Sequence, residues 1–135
     1  MQVLIDADNL TAARLGALLR AIPFHEASVL VAGSPRALAA VEWPPQATLV
    51  EVEGWQAADA VLARAYAPGP DPLVLASGDG DFTALAAGHP GPVLIVSGLP
   101  ASRLRAAGTV VDPVVQGVDA LRHWFDAVLD RPFQD

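Results

Sequence analysis

Two pairs of carboxylates, Asp6 with Asp8 and Asp79 with Asp81, each stand just after a short apolar run, Val3-Leu4-Ile5 and Leu73-Val74-Leu75-Ala76. A buried strand that ends in two acids gathers like charge at its tip, which costs folding free energy. A divalent cation held by oxygen ligands offsets that cost. Mg²⁺ or Mn²⁺ in such a setting serves phosphodiester chemistry, because it activates water and neutralises phosphate charge. A third acid, Asp59 in Ala57-Ala58-Asp59, falls in the first turn of a helical pattern. An acid there is also favoured by the helix dipole alone. Gly78 and Gly80 flank Asp79 and let its backbone turn sharply and approach a ligand. Asp81 is placed to cap the following helix, with Phe82 and Leu85 packing beneath it, and Asp8 and Asn9 are placed likewise before the first helix.

These residues need a scaffold that brings strand ends together. Candidate strands are Gln2–Asp6, Ser28–Ala32, Thr48–Val52, Leu73–Ser77 and Val93–Ser97, with Thr109–Val111 as a short sixth. They are rich in Val, Leu and Ile on both faces, as buried parallel strands are. Leu15, Leu18, Leu19 and Ile22 recur at helical spacing, with Thr11 or Asn9 as cap. Ala58, Leu62, Ala65 and Tyr66 do the same before the Pro-Gly-Pro-Asp-Pro stop at 68–72. Val118, Leu121, Phe125 and Val128 predict one final helix over Gln116–Leu129. The alternation gives an α/β fold with a parallel sheet and helices on both faces. Ligands bind such sheets at the carboxyl ends of strands where the strand order reverses, the edge that carries both acid pairs. The chain reads as one domain, 1–130, with a short frayed tail at Arg131–Asp135.

The composition is that of a domain with a sizeable core: 135 residues, 53% hydrophobic and 17% charged. With no cysteine, disulfides, thiolate metal sites and cysteine nucleophiles are excluded. No apolar run is long enough to cross a bilayer and no signal peptide is indicated, so a cytoplasmic location without membrane association is expected. The formal charge of -7 argues against a generic nucleic-acid surface. The five aspartates at positions 6, 8, 59, 79 and 81 account for most of it, and bound cations would invert that local field.

The segments Ile5-Asp6-Ala7-Asp8-Asn9, Ala57-Ala58-Asp59 and Ser77-Gly78-Asp79-Gly80-Asp81-Phe82 resemble the NYN family of PIN-like metal-dependent ribonucleases, in the same order and over residues 2 to about 97. The resemblance implies a three-layer α/β/α sandwich with a mainly parallel sheet in the strand order 3-2-1-4-5. It implies a catalytic and metal-binding set of Asp6, Asp59, Asp79 and Asp81, a Mg²⁺ or Mn²⁺ cofactor, and single-stranded RNA as substrate. Asn9 would orient the first loop or contact substrate, Ser77 would support the loop or the phosphate, and Asp8 would be an accessory acid. Family members often carry a lysine where this chain has Gln56.

All eight basic residues are arginine, so any phosphate contact falls to Arg14, Arg36, Arg64, Arg103 or Arg105. Arg103 and Arg105, in the helix after the fifth strand, are the first choice. The missing lysine excludes a P-loop and counts against haloacid-dehalogenase-type phosphatases and response-regulator receivers, which need one. The alternative to a nuclease is a catalytically weak or inactive module that binds or regulates through a protein or RNA partner. A homodimer would let a second copy supply basic surface. Trp55 offers a stacking surface for a base. His25, His89 and His123 read as loop or surface residues without metal-ligand spacing. Glu51 and Glu53 end the third strand; Ser97-Gly98 and Asp112 follow the fifth and sixth, near the expected cleft.

Overall fold

The computed structural model describes residues 1–54 and 57–129. Trp55, Gln56 and the tail Arg131–Asp135 lie outside the described residues. Six strands alternate with helices: β1 Gln2–Asp6, α1 Ala12–Ala21, β2 Ser28–Gly33, α2 Pro35–Leu38, β3 Ala47–Glu51, α3 Ala57–Ala65, β4 Leu73–Ala76, α4 Thr83–Gly88, β5 Val93–Val96, α5 Ser102–Arg105, β6 Thr109–Val111, α6 Pro113–Gln116 and α7 Val118–Val128. Short 3-10 turns follow β1 at Ala7–Asn9 and β4 at Gly80–Phe82.

All strands join one sheet in the order β3-β2-β1-β4-β5-β6, every pairing parallel. The expected order is present, and β6 extends it by one edge strand. Strand register follows from side-chain alternation. Val3 and Ile5 face one way with Val74 and Ala76, against Leu18 of α1 and Phe125 of α7. Leu4, Leu73 and Leu75 face the other way, against Leu62 of α3 and Phe82. These two cores make the three layers. Each large side chain removed from water contributes about 1.5–3 kcal/mol, and both faces of the central strands are used. Among the described residues, no helix is long and apolar enough to cross a membrane.

The final helix stands where the sequence predicts it. α7, Val118–Val128, fills the predicted Gln116–Leu129 to within two residues, and a short helix that was not expected, α6, precedes it across Gly117 with φ +88°. Pro113 opens α6, and the Asp112 side chain accepts from Val114 N at 3.1 Å to cap it. A positive φ is open to glycine at little cost, so the chain turns there. The predicted apolar positions Leu121 and Phe125 are buried on α7.

A correction concerns His89, which is buried rather than a surface residue. Its Nε2 lies 2.7 Å from the Asp71 carbonyl oxygen and its Nδ1 2.7 Å from the Tyr66 hydroxyl. The carbonyl can only accept, so Nε2 carries the proton and the Tyr66 hydroxyl donates to Nδ1. His89 therefore ties the loop before β4 to the end of α4, at the sheet edge remote from the acids.

Candidate metal centre

The chain leaves β1 toward β2 on one side, while β4 lies on its other side, so the loops after β1 and β4 diverge over a crevice. Asp6, the last residue of β1, is paired opposite Ala32 of β2 and is only 5% exposed. Ser77 follows β4 directly, and its hydroxyl donates to Asp6 Oδ2 at 3.3 Å and accepts from Asp79 N at 3.1 Å. Asn9 Oδ1 accepts from Gly78 N at 2.8 Å, which stitches the first loop to the second. Gly78 is required by crowding: a Cβ there would lie 2.6 Å from Ser97 Oγ and 3.1 Å from the Leu99 carbonyl oxygen.

Asp79 turns the chain into the 3-10 segment, its Oδ1 accepting from Asp81 N at 2.9 Å. The Asp79 side chain thus caps the 3-10 segment, a role the sequence had not suggested for it, and α4 follows directly with Phe82 at its N-cap position. One oxygen from each of Asp59, Asp79 and Asp81 lies within 4.8 Å of the others. Asp6 stands outside that trio at the buried end of the same crevice. Asp59 arrives from the first turn of α3.

The electrostatics of the site are those of crowded acids. Burial first, then the Asp79 and Asp6 carboxylates, push the Asp59 carboxyl up to about 7. Burial also raises Asp6; hydrogen bonds from Ser77 and Asp59 oppose this, while the charges of Asp8 and Asp79 add to it. Asp59 Oδ2 is buried and has no hydrogen-bond partner. A protonated Asp59 relieves the crowding by donating to a neighbouring carboxylate. A cation relieves it without the proton, and an all-oxygen set of carboxylates suits a hard divalent ion such as Mg²⁺ or Mn²⁺. The orphaned oxygen and the carboxylate trio both fit such an ion.

Asp8 has a different task from that of a ligand. Its Oδ2 accepts from Ser34 N at 2.8 Å and its Oδ1 from Ser34 Oγ at 2.7 Å. Ser34 in turn caps α2 by accepting from Ala37 N. The acids open into a cavity of about 540 Å³ that continues over the loops after β2 and β3, past Ser34, Pro35, Val52, Glu53 and Gly54. Ser34 escaped notice in the sequence, although a Ser-Pro directly after a strand marks a cap at the edge that carries the acids.

Arg103 and Arg105 lie exposed on α5, and neither they nor any other arginine lines the cavity among the described residues. Asp112 is not a rim residue waiting for a ligand: it holds Arg14 in a bidentate pair, Nε to Oδ1 at 3.0 Å and Nη2 to Oδ2 at 2.9 Å. Ser97 is buried, its hydroxyl accepting from Leu99 N. Comparison of the chain with protein-family models, with curated proteins and with solved structures finds no match.

Proposed function

We propose that the chain is a metal-dependent ribonuclease of the NYN type that hydrolyses phosphodiester bonds of single-stranded RNA. The observation that carries this reading is the buried, unpartnered Asp59 Oδ2 beside the oxygens of Asp79 and Asp81. The resemblance of the three acidic motifs to NYN proteins supplies the substrate class. Asp59, Asp79 and Asp81 would hold Mg²⁺ or Mn²⁺, with Asp6 at the buried side as a fourth acid. The ion, when bound, lowers the pKa of water and neutralises phosphate charge.

The chain's own residues supply position. Ser77 orients Asp6 and fixes the turn at Asp79. Asn9 holds the two loops at a set separation. No side-chain nucleophile is needed, which agrees with the absence of cysteine. The deciding experiment is cleavage of a labelled single-stranded RNA with Mn²⁺, Mg²⁺ or EDTA, beside Asp79→Asn. Metal-dependent cleavage that the variant loses supports the reading; equal cleavage by the variant, or none by the native chain with either metal, ends it.

One observation favours a second reading. The described lining of the cavity carries Asp6, Asp8, Glu53, Asp59 and Asp79 and no basic residue, and Arg14 is already engaged by Asp112. A binding or regulatory module that uses the ion to hold RNA or a protein partner needs less phosphate contact than a nuclease. Metal binding without cleavage is its signature.

A further inference from the structure

The cavity extends well beyond the acids. It spans the loops after β4, β1, β2 and β3 in sheet order, and two strand spacings separate β1 from β3, about 10 Å. Its volume of about 540 Å³ lies within the range that holds a small organic ligand. Toward β2 and β3 the cavity is lined by Ser34, Pro35, Val52 and Glu53, with Asp8 held by Ser34 beside them.

That wall is built on fixed backbone. Val52 N donates to the Gly33 carbonyl oxygen at 2.9 Å, tying the residue after β3 to the end of β2. The two bonds from Ser34 to Asp8 tie the loop after β2 to the first acidic loop. Gly33 is close-packed: a Cβ there would lie 2.8 Å from Ala7 Cβ. Gly54, directly after Glu53, stands at φ +94°, a conformation that favours glycine. Pro35 and Val52 with the Glu53 carboxylate beside them, along the same cavity as the acids, have the form of a nucleobase subsite.

We infer that Glu53 reads the base next to the scissile phosphate and selects guanine. This deepens the nuclease reading and rests on it for the substrate class. A carboxylate only accepts hydrogen bonds. Guanine alone offers it two adjacent N–H donors, N1–H and the N2 amino group. Adenine and cytosine set one amino donor beside a ring acceptor, and uracil sets one N–H between two carbonyls, so each brings a lone pair against the carboxylate. A paired, charge-assisted contact of this kind discriminates bases by about tenfold or more.

The test is titration of the native chain with guanosine, inosine and adenosine in the presence of Mn²⁺, beside Glu53→Gln. Guanosine should bind at least about tenfold more tightly than inosine, which lacks the N2 amino group. Glu53→Gln should lose that preference and gain affinity for adenosine, because an amide offers one acceptor and one donor. Equal affinities for guanosine and inosine, or a preference that survives in Glu53→Gln, overturn the assignment. Mapping cut sites on a mixed-sequence RNA adds a second readout, with cuts clustered beside guanines expected in the native chain only. If the native chain cuts nothing, the nuclease reading fails, and the nucleoside titration still decides the subsite.

Discussion

Asn9 and Gly78 sit 69 residues apart and share one hydrogen bond, Gly78 N to Asn9 Oδ1 at 2.8 Å. It is the cross-link between the loop that follows β1 and the loop that carries Asp79. Asn9→Ala leaves the Gly78 N–H without its acceptor, which should cost about 1–2 kcal/mol in denaturant unfolding. If the acids work together, cleavage should fall by about 10–100-fold as the loops drift. Native stability in the variant would show that the bond contributes nothing.

The crowded acids make a pH prediction for the metal-free protein. Asp59 has an unfolded value near 3.8 and a folded value of about 7, so the folded state binds the proton more tightly. Its contribution to stability is complete below the unfolded value and is lost as pH rises to about 7. The metal-free chain should melt at a higher temperature near pH 5 than near pH 8, and Mn²⁺ should recover the difference at pH 8. Asp59→Asn should abolish the metal's effect and raise metal-free stability at pH 8 by about 1–3 kcal/mol. A melting temperature flat between pH 5 and 8 would contradict the crowding.

Asp8 should behave as a structural residue despite its place in the acidic constellation. Both its oxygens are held by Ser34. Asp8→Ala should lower stability by about 1–2 kcal/mol, while Mn²⁺ affinity by calorimetry should fall far less than the tenfold or greater loss expected for Asp79→Asn. A loss of affinity as large as that of Asp79→Asn would return Asp8 to the ligand set.

The Arg14–Asp112 pair makes the opposite pH statement. The Arg14 guanidinium holds the Asp112 carboxyl below its ordinary 3.8. The stability it brings is present above that value and is lost as pH falls through the depressed one. The pair is partly buried, with side chains 23% and 14% exposed. Arg14→Met should therefore cost about 1–3 kcal/mol, and most of that cost should vanish near pH 2. Because Arg14 is engaged, its removal should leave the salt dependence of RNA binding unchanged; a shallower salt slope would make Arg14 a phosphate contact.

What the sequence disclosed follows from the range of each signal. The apolar runs of β1, β4 and β5 announce buried parallel strands because both faces are covered, and the sheet-edge rule then gathers Asp6, Asp59, Asp79 and Asp81 without any contact being known. The helical period of Leu121 and Phe125 shows which face of α7 is buried. The short α6 before it and the turn at Gly117 leave no mark in the sequence, since a positive φ leaves no trace in hydrophobicity. Pairings between distant residues are equally silent. Asp8 finds Ser34 26 positions away, Arg14 finds Asp112 98 positions away, and His89 is buried by Tyr66 and Asp71 rather than by its own neighbours.

The sheet has two edges, and that at β3 is the more open. Ala47–Glu51 has Thr48, Leu49 and Glu51 exposed, and one row of its backbone N–H and C=O groups has no strand beside it. Such a row is a template on which a stray β-segment can grow, which makes it a hazard for self-association during folding. The strand is kept to five residues, Pro44 and Pro45 stand before it, and Glu51 and Glu53 charge its far end. Proline withholds a donor and glutamate repels its own copy, so the edge is guarded at both ends. Replacing those guards with apolar residues would turn the rim of the cavity into a nucleus for aggregation.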